Sequence, residues 1–412
     1  MLAAEVHPLT LRQAVDLALR QNPDLVLSRL DEQRAQAAVR VAKDPFSPKV
    51  YAGSGAAYTL GYPNTIEGAA PSIVQLTTNM AIYNRPLSYQ VAEARENARG
   101  ASITSESKSD DIALRTASAF LDAQQLARSR ESLANEVTAM EQVRDAMQLR
   151  VTEGRELPIE NTRAELNLAR ARQRAEALAG DLEYAESSLA LTLGFPAGDR
   201  IQPIEEERAP LESPATEEAA VAAALANSKG LRQLESQIKA KSLDLQSYKA
   251  QRLPQVDLVA QYALFAKYAY QQFFQKFDRN NVELGVSIKV PLLVGSASRA
   301  YVTEAEIDMA KLRNQENTLR NQITLEARKN YMDLKRSETG RDVAQLDLKL
   351  AREQVSVLLA QLAEGRAPRT AVDQARLAEQ EKWIGFYDAD HAVDRARLNL
   401  LHETGTIVAA LR

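Results

Sequence analysis

The sequence predicts a mainly α-helical protein with a small β part, built as two copies of one unit. Three observations carry this. The stretch "VTEGRELPIENTRAEL" at residues 151–166 returns as "LAEGRAPRTAVDQARL" at residues 362–377, 211 residues later. Ala, Leu, Glu, Gln and Arg, all strong helix formers, dominate most of the chain. Two short regions switch instead to apolar–polar alternation, the period of a strand.

The repeat comes first, because it decides how every element is read. The offset of 211 also relates Ile112 to Ile323, Asp122 to Asp333, Ala164 to Ala375 and Gly194 to Gly405. Near the start the offset is 206, relating Thr10 to Thr216, Leu25 to Leu231 and Pro48 to Pro254. The copies therefore run over residues 8–202 and 214–412, with a proline-bearing linker at 203–213. The second copy has five extra residues between Pro254 and Val302, which places a longer loop there.

In the first copy a helix runs over residues 10–43, broken at Asn22-Pro23 with Asn22 as N-cap and Pro23 at the first helical position. A strand hairpin follows over about residues 47–86. A long helix then runs from about Ser88 to Thr152, where Ile112, Ala119, Leu126, Leu133, Met140 and Met147 recur every seven residues. Such a repeat is a coiled-coil seam, and a helix of that length measures about 100 Å. The Glu-Gly-Arg stretch at 152–158 is a turn, since Gly supplies a left-handed cap and Pro158 opens the next helix, to about residue 194. The second copy repeats the series: a helix at 215–251, a hairpin at 253–293, and a long helix at 297–363 with Leu334, Leu348, Val355 and Leu362 on the seven-residue grid that Arg341 interrupts. A turn at 363–369 and a helix at 368–411 complete it. Each short pair of helices, laid end to end, matches one long helix and packs along it as an antiparallel coiled coil.

Composition narrows the function. The formal net charge is −4 over 412 residues, so nothing points to nucleic acid, and the absence of cysteine excludes disulfides and thiolate metal sites. No run of 18 apolar residues exists for a transmembrane helix. "MLAAEVHPLT" lacks an apolar signal core; the expectation is either a cytoplasmic protein or a signal peptide already removed. The "GSG" at 53–55 is not followed by a helix start, "DADHAVD" at 388–394 reads as a solvated helix face rather than a metal site, and Ser, His and Asp show no triad signature. The reading is no enzyme, no cofactor and no metal.

The strands say more. Val282, Leu284, Val286, Ile288 and Val290 alternate with Glu283, Gly285, Ser287 and Lys289. The scarce aromatics crowd around both hairpins, at Tyr51, Tyr58, Tyr62, Tyr83, Tyr262, Phe265, Tyr268, Tyr270, Phe273, Phe274 and Phe277. Strands near ten residues with aromatic girdles suit a membrane β-barrel. Four strands are too few to close one; three chains sharing a barrel supply twelve, enough for an aqueous lumen. A soluble coiled-coil scaffold, such as a periplasmic adaptor with a small closed β domain, is the alternative. The outward face of the strands decides between them, apolar for the barrel and polar for the adaptor.

Two copies of helix, hairpin, long helix, Gly turn and helix resemble the TolC-type outer-membrane efflux family over nearly the whole chain. The most specific pieces are Gly154 and Gly365, each followed ten residues later by Ala, the hairpins after Pro48 and Pro254, and the Leu-x-x-x-Leu-Gly ending at Gly194. The resemblance implies a homotrimer with a shared twelve-stranded barrel in the outer membrane of a Gram-negative-type bacterium and an α-helical tunnel through the periplasm. It implies a passive duct of a tripartite efflux or type I secretion system, working with a periplasmic adaptor and an inner-membrane transporter.

It also assigns sites. Gly154, Arg155, Gly365 and Arg366 form adaptor-docking tips, two per chain and six per trimer. Glu160, Arg163, Arg369 and Asp373, just beyond the turns, form a candidate periplasmic gate. The family often has acidic residues six and nine positions after the second turn; here these are Ala371 and Gln374, with Asp373 beside them. Read as residues alone, Arg155 and Arg366 are cations favourably placed at helix C-termini. Glu160 with Arg163, and Arg369 with Asp373, have the spacing of pairs within one helix.

Overall fold

Local sequence sets most of the helix boundaries. In a computed structural model, which describes residues 5–55, 72–206, 212–265, 278, 280–293, 295 and 297–412, Thr10 opens α1 (Leu11–Gln21) with a capping box. Its hydroxyl accepts from the Gln13 amide while the Gln13 side chain accepts from the Thr10 amide. Its counterpart Thr216 caps α5 (Glu217–Asn227) by accepting from the Ala219 amide. Asn22 Oδ1 accepts from the amides of Asp24 and Leu25, so α2 (Pro23–Lys43) starts afresh at Pro23. The second copy breaks at the equivalent place without a proline. Ser228 Oγ accepts from the Leu231 amide and separates α5 from α6 (Lys229–Ala250), where the sequence predicts one helix.

The long helices are α3 (Arg85–Thr152) and α7 (Ala297–Ala363), of 68 and 67 residues. After each comes a shorter helix, α4 (Pro158–Leu193) and α8 (Arg369–Glu403). The sequence predicts that α8 continues to about residue 411. Instead it stops at Glu403, because Gly405 takes φ 68°, and α9 (Ile407–Leu411) follows. The heptad seam is the buried one: Ile112, Leu133 and Met140 of α3, and Leu334, Leu348 and Val355 of α7.

The chain divides into two compact units. The first holds the residues up to Arg29, Thr104–Leu231 and Thr318–Arg412. Its main core gathers Leu11, Val15, Leu19, Ile112, Phe120, Leu189, Leu193, Leu398 and Ile407 from α1, α3, α4, α8 and α9. Met140 packs on Leu168 and Ala171, and Glu136–Arg174 and Glu141–Arg172, both 2.6 Å, add ion pairs between α3 and α4. Leu334 packs with Val393 and Leu400, and Lys382 meets Asp347 at 2.8 Å, joining α7 to α8. A short parallel ladder, β1 (Val6–Leu9) on β4 (Arg200–Pro203), also belongs here, with His7 stacked on Phe195 at 4.6 Å. The sequence does not announce that ladder; four residues with an internal proline are too few for periodicity to register.

The second unit, Leu30–Ile103 and Arg232–Asn317, holds a four-stranded antiparallel sheet in the order β2-β3-β5-β6. The strands are β2 (Lys49–Gly55), β3 (Ser72–Tyr83), β5 (Gln255–Phe265) and β6 (Asn280–Lys289). All fall inside the two predicted hairpin regions. The helices of this unit meet through Ser236 Oγ donating to the Glu96 carbonyl, Lys241–Asp308 and the stacked Tyr248 and Tyr301. The longer loop expected in the second copy, and the aromatics at 58, 62, 268, 270, 273, 274 and 277, lie outside the described residues.

Candidate functional site

The Glu-Gly-Arg stretches are two turns of one design. After α3, the Arg155 amide donates to the Arg150 carbonyl at 2.8 Å and the Gly154 amide to the Val151 carbonyl at 3.0 Å. After α7, the Arg366 amide donates to Gln361 at 2.8 Å and the Gly365 amide to Leu362 at 3.0 Å. This paired bonding satisfies the last helical carbonyls and requires a left-handed residue, and Gly154 and Gly365 have φ 71° and 70°. A Cβ at either glycine would meet nothing within 4 Å, so these turns stand clear of the rest of their unit. Gly194 and Gly405 close α4 and α8 with the same bond pairs, but there a Cβ would come within 3.0 Å of Gln21 O and Asn227 Cβ.

Arg155 and Arg366 are exposed and pair with the glutamates of their own turns, Glu153 at 3.2 Å and Glu364 at 3.1 Å. Arg163 donates to both carboxylate oxygens of Glu160, at 2.8 and 2.9 Å, so this pair closes within α4. Asp373 lines a groove of about 370 Å³ between α3 and α8, with Glu136, Met140, Val143, Leu377 and Trp383. Arg369 lies in the first turn of α8, and its side chain is outside the described residues. The structure thus puts Glu160 with Arg163, and Asp373 in the α3–α8 groove.

The sheet carries the second set of surfaces. Register places Val50, Thr78, Ala260 and Leu284 side by side, then Ala52, Leu76, Tyr262 and Val282, then Met80, Leu258 and Val286, then Val256 and Ile288. Partners in register share a face, so this face is apolar. The other face carries Lys49, Gln75, Thr77, Asn79, Asp257, Gln261, Glu283, Ser287 and Lys289. Val50, Val282, Leu284, Val286 and Ile288 are each more than half exposed. An exposed apolar sheet face is what a bilayer covers and what the core of a small soluble domain would have buried; the adaptor alternative falls on this point. No helix among the described residues is long and apolar enough to cross a membrane.

The histidines hold no metal cluster among the described residues. The "DADHAVD" stretch, expected to be a solvated face, instead bonds across to α3. His391 Nε2 meets Asp122 Oδ1 at 2.8 Å, and the Gln125 amide donates to Asp388 at 2.6 Å. His402 Nε2 meets Asp111 Oδ1 at 2.9 Å. Sequence reasoning missed these pairs, although Asp111 and Asp122 have the same spacing of eleven as His391 and His402.

Long helical hairpins with glycine-capped turns, joined in one chain to strands with one lipid-compatible face, define an outer-membrane helical channel. The chain belongs to the outer membrane efflux protein family, whose sequence pattern matches residues 14–195 and 220–406. It is a transport duct, not an enzyme, and its place is the outer membrane. The fold is similar to the outer membrane protein VceC of Vibrio cholerae, at 17% identity and TM-score 0.75, covering 96% of each chain. It is similar to the CmeC outer membrane channel of Campylobacter jejuni, at 12% identity and TM-score 0.76, covering 96% of this chain and 85% of that one. It is also similar to the open state of the Neisseria gonorrhoeae MtrE outer membrane channel, at 14% identity and TM-score 0.70, covering 97% and 88%. No curated protein matches by sequence.

Proposed function

We propose that three copies of this chain form one duct that passes cargo from a periplasmic adaptor and an inner-membrane transporter across the outer membrane. The observation that carries this is the sheet with its two open edges, β2 and β6. Unpaired backbone groups at a strand edge are not tolerated in hydrocarbon. The strands alternate in direction, so β6 of one copy meets β2 of the next antiparallel, and three copies close a ring. The apolar face then meets lipid and the polar face the lumen. A second feature agrees. Val343, Leu346, Leu350 and Val357 of α7 form another heptad line, exposed in the single chain and set apart from the buried Leu334–Leu348–Val355 seam. A neighbouring copy gives it cover.

On this reading Gly154, Arg155, Gly365 and Arg366 present the adaptor-docking turns, and their support is exposure with no crowding. The candidate gate comprises Glu160, Arg163, Arg369 and Asp373, of which Glu160 and Arg163 pair within α4 in the single chain. The mass of the detergent-solubilised particle tests the assembly: three chains are expected, and a stable monomer overturns it. Neutralising Arg369 and Asp373 together tests the gate by single-channel conductance, which rises if they hold the duct narrow and is unchanged if they do not.

A further inference from the structure

Helices α3 and α8 run antiparallel through the first unit and touch through a row of polar pairs. Each step of eleven residues along α3, from Asp111 to Asp122, is matched by a step of eleven back along α8, from His402 to His391. The same register continues through Gln125 with Asp388, and Ser132 meets Gln380 one residue out of step. Beyond Ser132 the partners change. Glu136 and Glu141 of α3 turn to Arg174 and Arg172 of α4, and Glu379 and Lys382 of α8 turn to Arg352 and Asp347 of α7. Between α3 and α8 the register line then becomes the groove of about 370 Å³ lined by Met140, Val143, Asp373, Leu377 and Trp383.

We propose that the two histidine–aspartate pairs form a pH-sensitive zipper that sets how far the α3–α4 and α7–α8 hairpins part along this groove. Two of the three histidines in the chain sit in this one seam, each on an aspartate of the opposite helix. Protonating an imidazole turns its hydrogen bond to a carboxylate into an ion pair.

The surroundings of His402 favour its charged imidazole. Around His402 lie Asp110 and Asp111 on α3 and Glu403 on its own helix. Lys108 and Arg115 of α3 act on Asp111, Lys229 of α6 pairs with Asp110, and Glu326 of α7 acts on Glu403. Around His391 lie Asp122 and Arg395, the latter 3.2 Å from the same carboxylate. The bond to Asp111 raises the His402 pKa against the opposing effect of burial, and the same bond lowers that of Asp111. A raised imidazole value means the charge-assisted contact is complete below the ordinary imidazole range and is lost as pH rises through the raised value. The lowered carboxylate value means that Asp111 gives up its share only as pH falls below its usual range. The zipper therefore tightens in mild acid and loosens on the alkaline side.

The chain has no cysteine, so spin labels at Gln148→Cys and Gln374→Cys, both exposed, report the α3–α8 separation beside the groove. Labelled chains diluted with unlabelled ones are measured by pulsed dipolar spectroscopy at about pH 5.5 and about pH 8.5, either side of the imidazole range. The distance distribution shifts to longer values at the higher pH, and the shift is lost in His391→Gln/His402→Gln and in Asp111→Asn/Asp122→Asn. An unchanged distribution in the unmutated background overturns the proposal. So does a shift that survives both double variants. Should a variant not fold, the midpoint of the shift in the unmutated background decides: a midpoint in the imidazole range supports the zipper, and one in the carboxylate or lysine range overturns it.

Discussion

Glycine has two different tasks at four equivalent helix ends. At Gly154 and Gly365 only the backbone conformation requires it, because an added Cβ finds open space. Gly154→Val and Gly365→Val should each cost about 1 kcal/mol of strain. At Gly194 and Gly405 the backbone of Gln21 and Asn227 also presses close. Gly194→Ala and Gly405→Ala should therefore cost about 2 kcal/mol or more. Thermal unfolding followed by far-ultraviolet circular dichroism compares the four, and equal losses would contradict the distinction. The Glu160–Arg163 pair is exposed and within one helix, so Glu160→Gln should change stability by only a few tenths of a kcal/mol.

At the level of elements, the sheet is amphipathic across all four strands, which a single strand cannot show. Leu284 and Val286 belong to rows that are mainly apolar, while Ser287 lies on the face with Asp257 and Gln261. Leu284→Arg or Val286→Arg should destabilise the inserted barrel by roughly 2–4 kcal/mol if the row crosses the middle of the bilayer, and Ser287→Arg far less. The yield of membrane-inserted protein reads this out; equal yields for Val286→Arg and Ser287→Arg would mean the apolar face does not meet lipid. The helices carry a similar lesson. The α7 heptad at Leu334, Leu348 and Val355 is spent within the chain, and the parallel line through Leu346 and Leu350 is left over.

For the molecule as a whole, that leftover surface bears on assembly. Leu346→Lys together with Leu350→Lys should weaken the proposed trimer while leaving the helix content of the single chain intact, since neither residue is buried within it. Sedimentation in detergent would show smaller particles with an unchanged circular dichroism spectrum. A particle of unchanged mass would place the contact between copies elsewhere.

By itself the sequence determined much of what repeats or depends on near neighbours. The duplicated Glu-Gly-Arg turns, the cap at Asn22 and the heptad seam were legible, because each follows from local backbone chemistry or a fixed period. The amphipathic alternation of β6 was legible for the same reason. The break at Ser228 and the early end of α8 were not, because a lone serine or glycine within a helical pattern marks a boundary only when the chain beyond it packs elsewhere. The tertiary structure decided the rest. Only strand pairing shows that Val50, Ala260 and Leu284 share one face, since register joins residues more than two hundred positions apart. Only the antiparallel packing of α8 on α3 turns two scattered histidines and two aspartates into one row of contacts. Contacts between distant segments are fixed by how whole elements bury their apolar faces, and no local pattern encodes which partner each face will find.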